Sequence, residues 1–186
     1  DYLGEGNYGK VKLIMNRAGD QYAVKIEGAG VEAENNAEKE IMRIVGYYIA
    51  EMNREYNKEF KGRHSEHKRY TVMLLLKGHE LHDHLYFGQR LVKKQVDEPT
   101  RLLMAIKSAE AIQVLHDKRI VHCDIKPENF MMDEDGDQIT ISSFDFGFSI
   151  KLAKGRVSVL DKPKGTDFYL APEIEGPKYS DDEHAL

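Results

Sequence analysis

The sequence has few of the features that mark a secreted, membrane-embedded or disulfide-held protein. Cys123 is the only cysteine in 186 residues, which excludes an internal disulfide framework and a multi-cysteine zinc site. The longest uninterrupted apolar runs, Val72 to Leu76 and Leu102 to Ile106, fall far short of the ~20 residues a membrane helix needs. Basic charge is not in excess: 27 Lys and Arg stand against 32 Asp and Glu, a formal charge of −5. That balance argues against a dedicated nucleic-acid or anionic-membrane surface. No repeat, low-complexity tract or proline-rich linker interrupts the chain, and no N-terminal signal region is expected. What is present is 41% hydrophobic and 32% charged residues, enough for a packed core and against wholesale disorder. The length suits one large domain or two small lobes sharing a cleft. The expected setting is intracellular, the cytoplasm with the nucleus also open, without membrane insertion or a nucleic-acid partner.

The hydrophobic period changes along the chain. Lys10 to Met15 alternates, with Val11, Leu13 and Met15 on one face, and Asn16-Arg17-Ala18-Gly19-Asp20 is turn chemistry. Gln21 to Glu27 alternates again, so Ala23 and Lys25 share a face. After a Gly-Ala-Gly break the period becomes helical from about Glu32, with Glu34, Glu38, Ile41, Met42 and Val45 on one side. Glu51 to Lys68 is polar and carries no clear period, whereas Tyr70 to Leu76 reads as an apolar strand. Arg101 to Leu115 reads as a buried helix, apolar at 102, 103, 106, 109, 112 and 115. Asn129 to Met132 and Ile139 to Ile141 flank an Asp-Glu-Asp-Gly-Asp turn, a short hairpin. Strands first and helices later predict a two-layer or two-lobe α+β protein.

Several groups carry chemistry. Gly4-Glu5-Gly6-Asn7-Tyr8-Gly9 is a glycine-rich loop whose backbone N–H groups can approach phosphate oxygens that a Cβ would obstruct. A second alternating strand follows, which puts the loop in a hairpin rather than at the start of a helix. Lys25 stands on that second strand, where its ammonium can meet a phosphate held by the glycines. Glu38 lies on the apolar face of the following helix, as a carboxylate that fixes Lys25 should, with Glu34 as the alternative. In His122-Cys123-Asp124-Ile125-Lys126-Pro127-Glu128-Asn129, Asp124 can accept a hydroxyl proton, Lys126 can neutralise a transferring phosphate and Asn129 can bind a divalent cation. Asp145-Phe146-Gly147 adds a second carboxylate, and Mg2+ is satisfied by few protein oxygens plus phosphate and water.

With Gly165-Thr166 and Ala171-Pro172-Glu173 completing the series, the chain resembles a eukaryotic-type protein kinase catalytic domain of the serine/threonine type. Five motifs match in the expected order between Leu3 and Glu173. The resemblance implies a two-lobed fold: an N-lobe of antiparallel sheet plus one main helix over about 1–73, a hinge over about 74–78, and a mainly helical, apparently truncated C-lobe over about 79–186. It implies ATP and Mg2+ as cofactors. Leu3, Gly4, Glu5, Gly6, Asn7, Tyr8, Gly9, Val11, Ala23, Lys25, Met73, Leu74, Leu76, Glu80 and Met131 would bind ATP, with Met73 as gatekeeper and Glu80 as ribose partner. Asp124, Lys126, Lys25, Glu38 and Thr166 would be catalytic, with Thr166 bridging Asp124 and Lys126, and Asn129 and Asp145 would be the metal ligands. The partner implied is a protein substrate phosphorylated on serine or threonine.

Two departures stand out. Cys123 occupies the place where many members of the family carry an arginine that receives an activation-loop phosphate. The chain also stops 13 residues after Glu173, as a clipped segment or a minimal kinase would. Other signals are declined. Asp133, Asp135 and Asp137 hint at a calcium loop, but its twelfth position is Phe144 rather than glutamate, so a solvated turn is expected. His64, His67, His79, His82 and His84 are not read as a zinc site, and Cys123 is read as a packing residue rather than a reactive thiol. The alternatives to a protein kinase are a pseudokinase scaffold, disfavoured by the presence of Lys25, Asp124, Asn129 and Asp145, and a small-molecule kinase, disfavoured by Ala171-Pro172-Glu173.

Overall fold

The computed structural model describes residues 1–6, 9–28, 32–56, 66–87, 96–136, 138–154 and 164–175. The chain divides into two compact units, Asp1–Lys77 and Gly78–Leu186.

The first unit is a sheet with one helix. Strands β1 (Tyr2–Gly6), β2 (Gly9–Met15), β3 (Gln21–Gly28), β4 (Tyr48–Tyr56) and β5 (Glu66–Leu74) form a five-stranded antiparallel sheet in the order β1-β2-β3-β5-β4. The turn between β2 and β3 is closed by Asn16, whose side-chain oxygen accepts from the backbone N–H groups of Ala18 and Asp20 at 2.9 Å, the Asx chemistry its sequence predicts. Helix α1 (Glu32–Val45) buries Ile41 and Met42, and with them Glu38 and Lys39. Gly9, at φ 144°, is required by packing: a Cβ there would strike the carbonyl of Ile26.

The polar stretch without a clear period contains two strands. β4 spans its first part, and β5 begins at Glu66 and stops at Leu74 rather than at Leu76. Their polar composition hid them because their inward charges are paired rather than solvated: Glu51 on β4 meets Arg69 on β5 at 3.2 Å and Lys39 of α1 at 2.8 Å. On β2, Val11 and Leu13 are half-buried as the alternation predicts, but Met15, at the strand end, is exposed.

The second unit is organised around one long helix and a hairpin. Helix α2 (Glu98–Asp117) starts on Asp97, whose carboxylate accepts from the Thr100 N–H at 3.0 Å, with Pro99 in the first turn; both are helix-start chemistry. Short strands β6 (His79–Glu80), β8 (Phe130–Asp135) and β9 (Gln138–Ser143) form one sheet, and β7 (Ile120–Val121) pairs with β10 (Ile150–Lys151). A four-residue helix, α3 (Pro172–Glu175), follows. The core joins Leu81, Met104, Phe130, Met132 and Ile141, and each fully buried side chain of this size contributes about 1.5–3 kcal/mol. The register of α2 differs from the expected buried face. Leu102 and Ile106 are 63% and 46% exposed; Ile112 and Leu115 turn inward as expected, and Met104 and Ala111 complete the inward line in place of 102, 106 and 109. The core selects Met104 because that line, not 102–106–109, lies over β9 and β8. No helix among the described residues is long and apolar enough to cross a membrane.

Candidate functional site

In the first unit the expected residues cluster on one face of the sheet. Ala23 and Lys25 on β3 stand beside Leu13 and Val11 of β2, and Ala23 faces Met73 of β5 in register. Around Leu3 the register of β1 against β2 shifts, between Tyr2 and Gly4. The backbone of Glu5 and Gly6 belongs to β1, while Asn7 and Tyr8 lie outside the described residues. A Cβ added to Gly4 would meet no atom of the chain within 4 Å, so this glycine, unlike Gly9, is not demanded by the protein's own packing. Leu74 ends β5 with its N–H bonded to the Tyr47 carbonyl at 2.9 Å, and Leu75 and Leu76 are half-buried.

Lys25 and Glu38 meet. The ammonium donates to both carboxylate oxygens of Glu38, at 2.9 and 2.8 Å. A second carboxylate, Glu27, lies 3.4 Å from the same nitrogen and is 3% exposed. Sequence reasoning missed Glu27, although its position two residues after Lys25 puts it on the same strand face. Glu34 is within α1, but its side chain is outside what the structure describes.

In the second unit the segment from His122 to Asn129 is held by buried polar contacts. Cys123 adopts φ 63°, the left-handed turn that takes the chain from β7 into the loop. Asp124 follows, 3% exposed. Its Oδ1 accepts from the Thr166 hydroxyl at 2.7 Å, its Oδ2 accepts from the Asn129 amide at 2.9 Å, and Lys126 Nζ stands 3.1 Å from Oδ2. Lys126 also donates to Thr166 Oγ1 at 2.7 Å, so the threonine hydroxyl bridges the two residues. Burial pushes the Asp124 carboxyl up, but hydrogen bonds from Thr166, Asn129 and Lys126, together with the Lys126 charge, outweigh it and leave the pKa below the ordinary carboxylate value. Asp124 is therefore ionised at neutral pH.

Pro127 opens a single 3₁₀ turn through Asn129, closed by the Asn129 N–H on the Lys126 carbonyl at 2.9 Å. Asn129 leads into β8, and its carbonyl accepts from the Phe144 N–H at 2.9 Å. Asn129 and the exposed Asp145 are thereby brought to the same end of the β8–β9 hairpin. Asp145 is itself left-handed, at φ 60°. Among the described residues, no group of three or more His, Cys, Asp or Glu is arranged to hold a metal; His64 and Asp137 lie outside those residues.

His122 is the residue beneath this arrangement, and the sequence reading assigned it no role. It is 1% exposed, its ring packs on Phe146 at 5.6 Å, and its carbonyl accepts from the Ser149 hydroxyl at 2.9 Å. Burial lowers its pKa against the opposing pull of the Phe144 carbonyl and the Asp124 and Asp145 charges. Neutral at pH 7, it must donate from Nε2 to the Phe144 carbonyl, 3.1 Å away, because a carbonyl only accepts. An apolar flank, Ile120-Val121, was the available signal for its burial. Cys123 is half-buried rather than buried, and its thiol lies 3.6 Å from the Val121 carbonyl. Burial raises its pKa, so it is a neutral thiol.

Glu80 and Met131 face each other in register between β6 and β8. The Glu80 carboxyl is pushed up by burial and by the neighbouring Asp83 and Glu128 charges, against the pull of His82. Ala171 opens into α3, and the side chain of Glu173 lies outside the described residues.

Comparison with known proteins places these residues in context. A family model described as Protein kinase domain matches residues 1–184. Among curated proteins, the chain is 33% identical over 176 residues to a Dictyostelium discoideum protein named "Probable serine/threonine-protein kinase pXi", covering 92% of this chain and 23% of that one. It is 32% identical over 174 residues to CBL-interacting protein kinase 17 of Oryza sativa subsp. japonica, covering 92% and 37%. It is 33% identical over 177 residues to the serine/threonine-protein kinase grp of Drosophila melanogaster, covering 92% and 32%. The chain thus spans between about a quarter and two fifths of the length of these relatives.

Proposed function

Since the chain belongs to the family of protein kinase domains, we propose that it transfers the γ-phosphoryl group of ATP to serine or threonine hydroxyls of protein substrates. The observation that carries this reading is the buried Asp124 carboxylate, held ionised by Thr166, Asn129 and Lys126 at 2.7 to 3.1 Å. A carboxylate has about four lone-pair sites, so Asp124 keeps acceptor capacity for a substrate hydroxyl. Its lowered pKa makes it a weak base. Its task is then to orient the hydroxyl and to take the proton late, as the new oxygen–phosphorus bond forms and the bond to the leaving ADP breaks. Lys126, already beside Asp124, supplies positive charge where negative charge develops.

Lys25 would hold the nucleotide phosphates, with Glu38 fixing the ammonium and the backbone around Gly4 and Gly6 offering N–H groups without an obstructing Cβ. Val11, Ala23 and Met73, side by side on the same sheet face, offer an apolar surface for the base, with Leu3, Glu5, Asn7, Tyr8, Gly9, Leu74, Leu76, Glu80 and Met131 assigned to the nucleotide by resemblance. Asn129 and Asp145 would hold Mg2+, which neutralises phosphate charge when bound. The donor set fits that ion. The Asn129 amide nitrogen is spent on Asp124, which leaves its carbonyl oxygen, and Asp145 adds an exposed carboxylate. Two hard oxygens, completed by phosphate and water, are what Mg2+ accepts. An intracellular location, with no nucleic-acid partner, completes the proposal.

The test is transfer of label from ATP to a generic protein panel and to a panel of small alcohols, with wild type and Asp124→Asn in parallel. Label on protein serine or threonine, lost by about 10²-fold or more in Asp124→Asn while nucleotide binding persists, is expected. Nucleotide binding without transfer would convert the reading to a scaffold, and label on small alcohols alone would move it to that class.

A further inference from the structure

Helix α1 buries two adjacent residues of opposite charge, Glu38 and Lys39, at 7% and 6% exposure. Each has its partner on a different strand. Lys25, Thr71 and Glu51 stand in one row across β3, β5 and β4, with Thr71 opposite both of the others in register. Glu38 takes the Lys25 end of the row, and Lys39 takes the Glu51 end at 2.8 Å. Thr71, 2% exposed, fills the middle. The two ends of the row are two strand spacings apart, about 9.6 Å, close to the width of a helix.

The next row carries Glu27 on β3 and Arg69 on the middle strand β5, with Asn53 at its β4 end. Glu27 and Arg69 face each other in register; Glu27 lies 3.4 Å from Lys25, and Arg69 lies 3.2 Å from Glu51. Charges therefore alternate around the footprint of α1, and the helix fits this pattern in one orientation. Turning α1 by one residue, about 100°, would carry Glu38 away from Lys25 and bring it toward the half-buried Glu51 carboxylate. Burying like charges together is costly, and fixing a register is the best-attested use of a buried ion pair.

We propose that Lys39, Glu51 and Arg69 form a positioning clamp that sets the rotation of α1 and, through it, the Lys25–Glu38 pair. Lys39 and Glu51 are positioning residues, acting on the nucleotide only through Glu38. The consequence for nucleotide binding rests on the kinase reading above, whereas the clamp itself does not.

Two readouts keep these apart. In the nucleotide-free chain, Lys39→Met and Lys39→Met/Glu51→Gln should speed amide hydrogen exchange across α1 more than across β2 or α2. The double variant leaves no unpaired buried carboxylate, which guards against simple failure to fold. In Mg·ATP binding and turnover, Lys39→Met should raise KM for ATP by about 2- to 30-fold with a smaller change in kcat, and should add nothing further in a Glu38→Gln background. Unchanged α1 exchange in both variants would overturn the clamp whether or not the chain binds ATP. An equal proportional loss in the Glu38→Gln background would overturn action through Glu38. Wild-type protein that binds no Mg·ATP would overturn the kinase reading and leave the exchange result to decide the clamp.

Discussion

Asn129 donates its side-chain amide twice to a single residue, to the Asp124 carbonyl at 2.7 Å and to Asp124 Oδ2 at 2.9 Å. Both residues are buried, so the pair ties the backbone and carboxylate of Asp124 to the start of β8 without help from solvent. A buried acceptor stripped of its donor costs about 1–3 kcal/mol.

Asn129→Leu should therefore lower stability by about 1–3 kcal/mol, read as a fall in the thermal midpoint, and should also abolish Mg-dependent nucleotide affinity. Asn129→Asp should be the more destabilising of the two, because it sets a second carboxylate against Asp124 in a site with no room for both charges. A stable, fully active Asn129→Leu protein would remove Asn129 from both roles.

Gly165 tests the other side of the same carboxylate. Its φ is 130°, and an added Cβ would lie 2.9 Å from the Cys123 carbonyl oxygen and 2.7 Å from Leu170 Cδ2. The first contact is backbone and cannot swing away. Gly165→Ala should push Thr166 off Asp124 and Lys126 and cost about 1–3 kcal/mol in strain. Turnover should drop by about 10²-fold while nucleotide affinity holds. Equal loss of both would mean that the strain spreads beyond the Thr166 bridge.

The contrast between these residues and their surroundings shows what was legible in the sequence. Local patterns gave β2, β3, α1 and the β8–β9 hairpin, because alternation, helical period and turn chemistry each act over a few residues. Lys25 and Glu38 were paired from a strand face and a helix face, and they meet. What stayed hidden depends on long-range partners. The polar stretch from Glu51 carries no period of its own, and its strands become legible only once Glu51 meets Lys39 and Arg69 across the sheet. On α2, Ile112 and Leu115 turn inward as the period predicts, but Leu102 and Ile106 fit that period as well as Met104 does, and only the sheet beneath decides between them. His122 looked like one polar residue in a polar loop, although it lies beneath that loop.

His122 gives the pH dependence its sign. Its folded pKa lies below the unfolded value of 6.5, so as pH falls below 6.5 the unfolded chain takes up the proton first. Stability should be level above that pH, fall by up to about 1.36 kcal/mol per pH unit below it, and level off once the folded pKa is passed. Asp124, with its pKa below 3.8, titrates outside this window and cannot be the source. Thermal midpoints measured from pH 7.5 to 5 should show the fall in wild type and a flatter line in His122→Gln. Parallel lines would remove His122 as the source of the slope.

Control by phosphorylation can be tested at Ser158. An activation-segment phosphate needs a cation to receive it, and the residue before Asp124 is Cys123, a neutral thiol. Among the substitutes in the sequence, Lys151 spends one of its three N–H donors on the Lys118 carbonyl. Lys154 is exposed, and Arg156 and Ser158 lie outside the described residues. Meanwhile the start of the segment is already tied down by Arg119, which donates to the Leu152 and Ala153 carbonyls at 3.3 and 2.7 Å. A loop anchored in this way gains little from an added charge that finds no arginine beside Asp124. Phosphatase treatment and Ser158→Ala should both leave turnover unchanged, and neither disturbs the Thr166 hydroxyl, which Thr166→Ala would remove. A large loss after phosphatase, restored by rephosphorylation at Ser158, would show that Lys151, Lys154 or Arg156 receives the phosphate in place of the missing arginine.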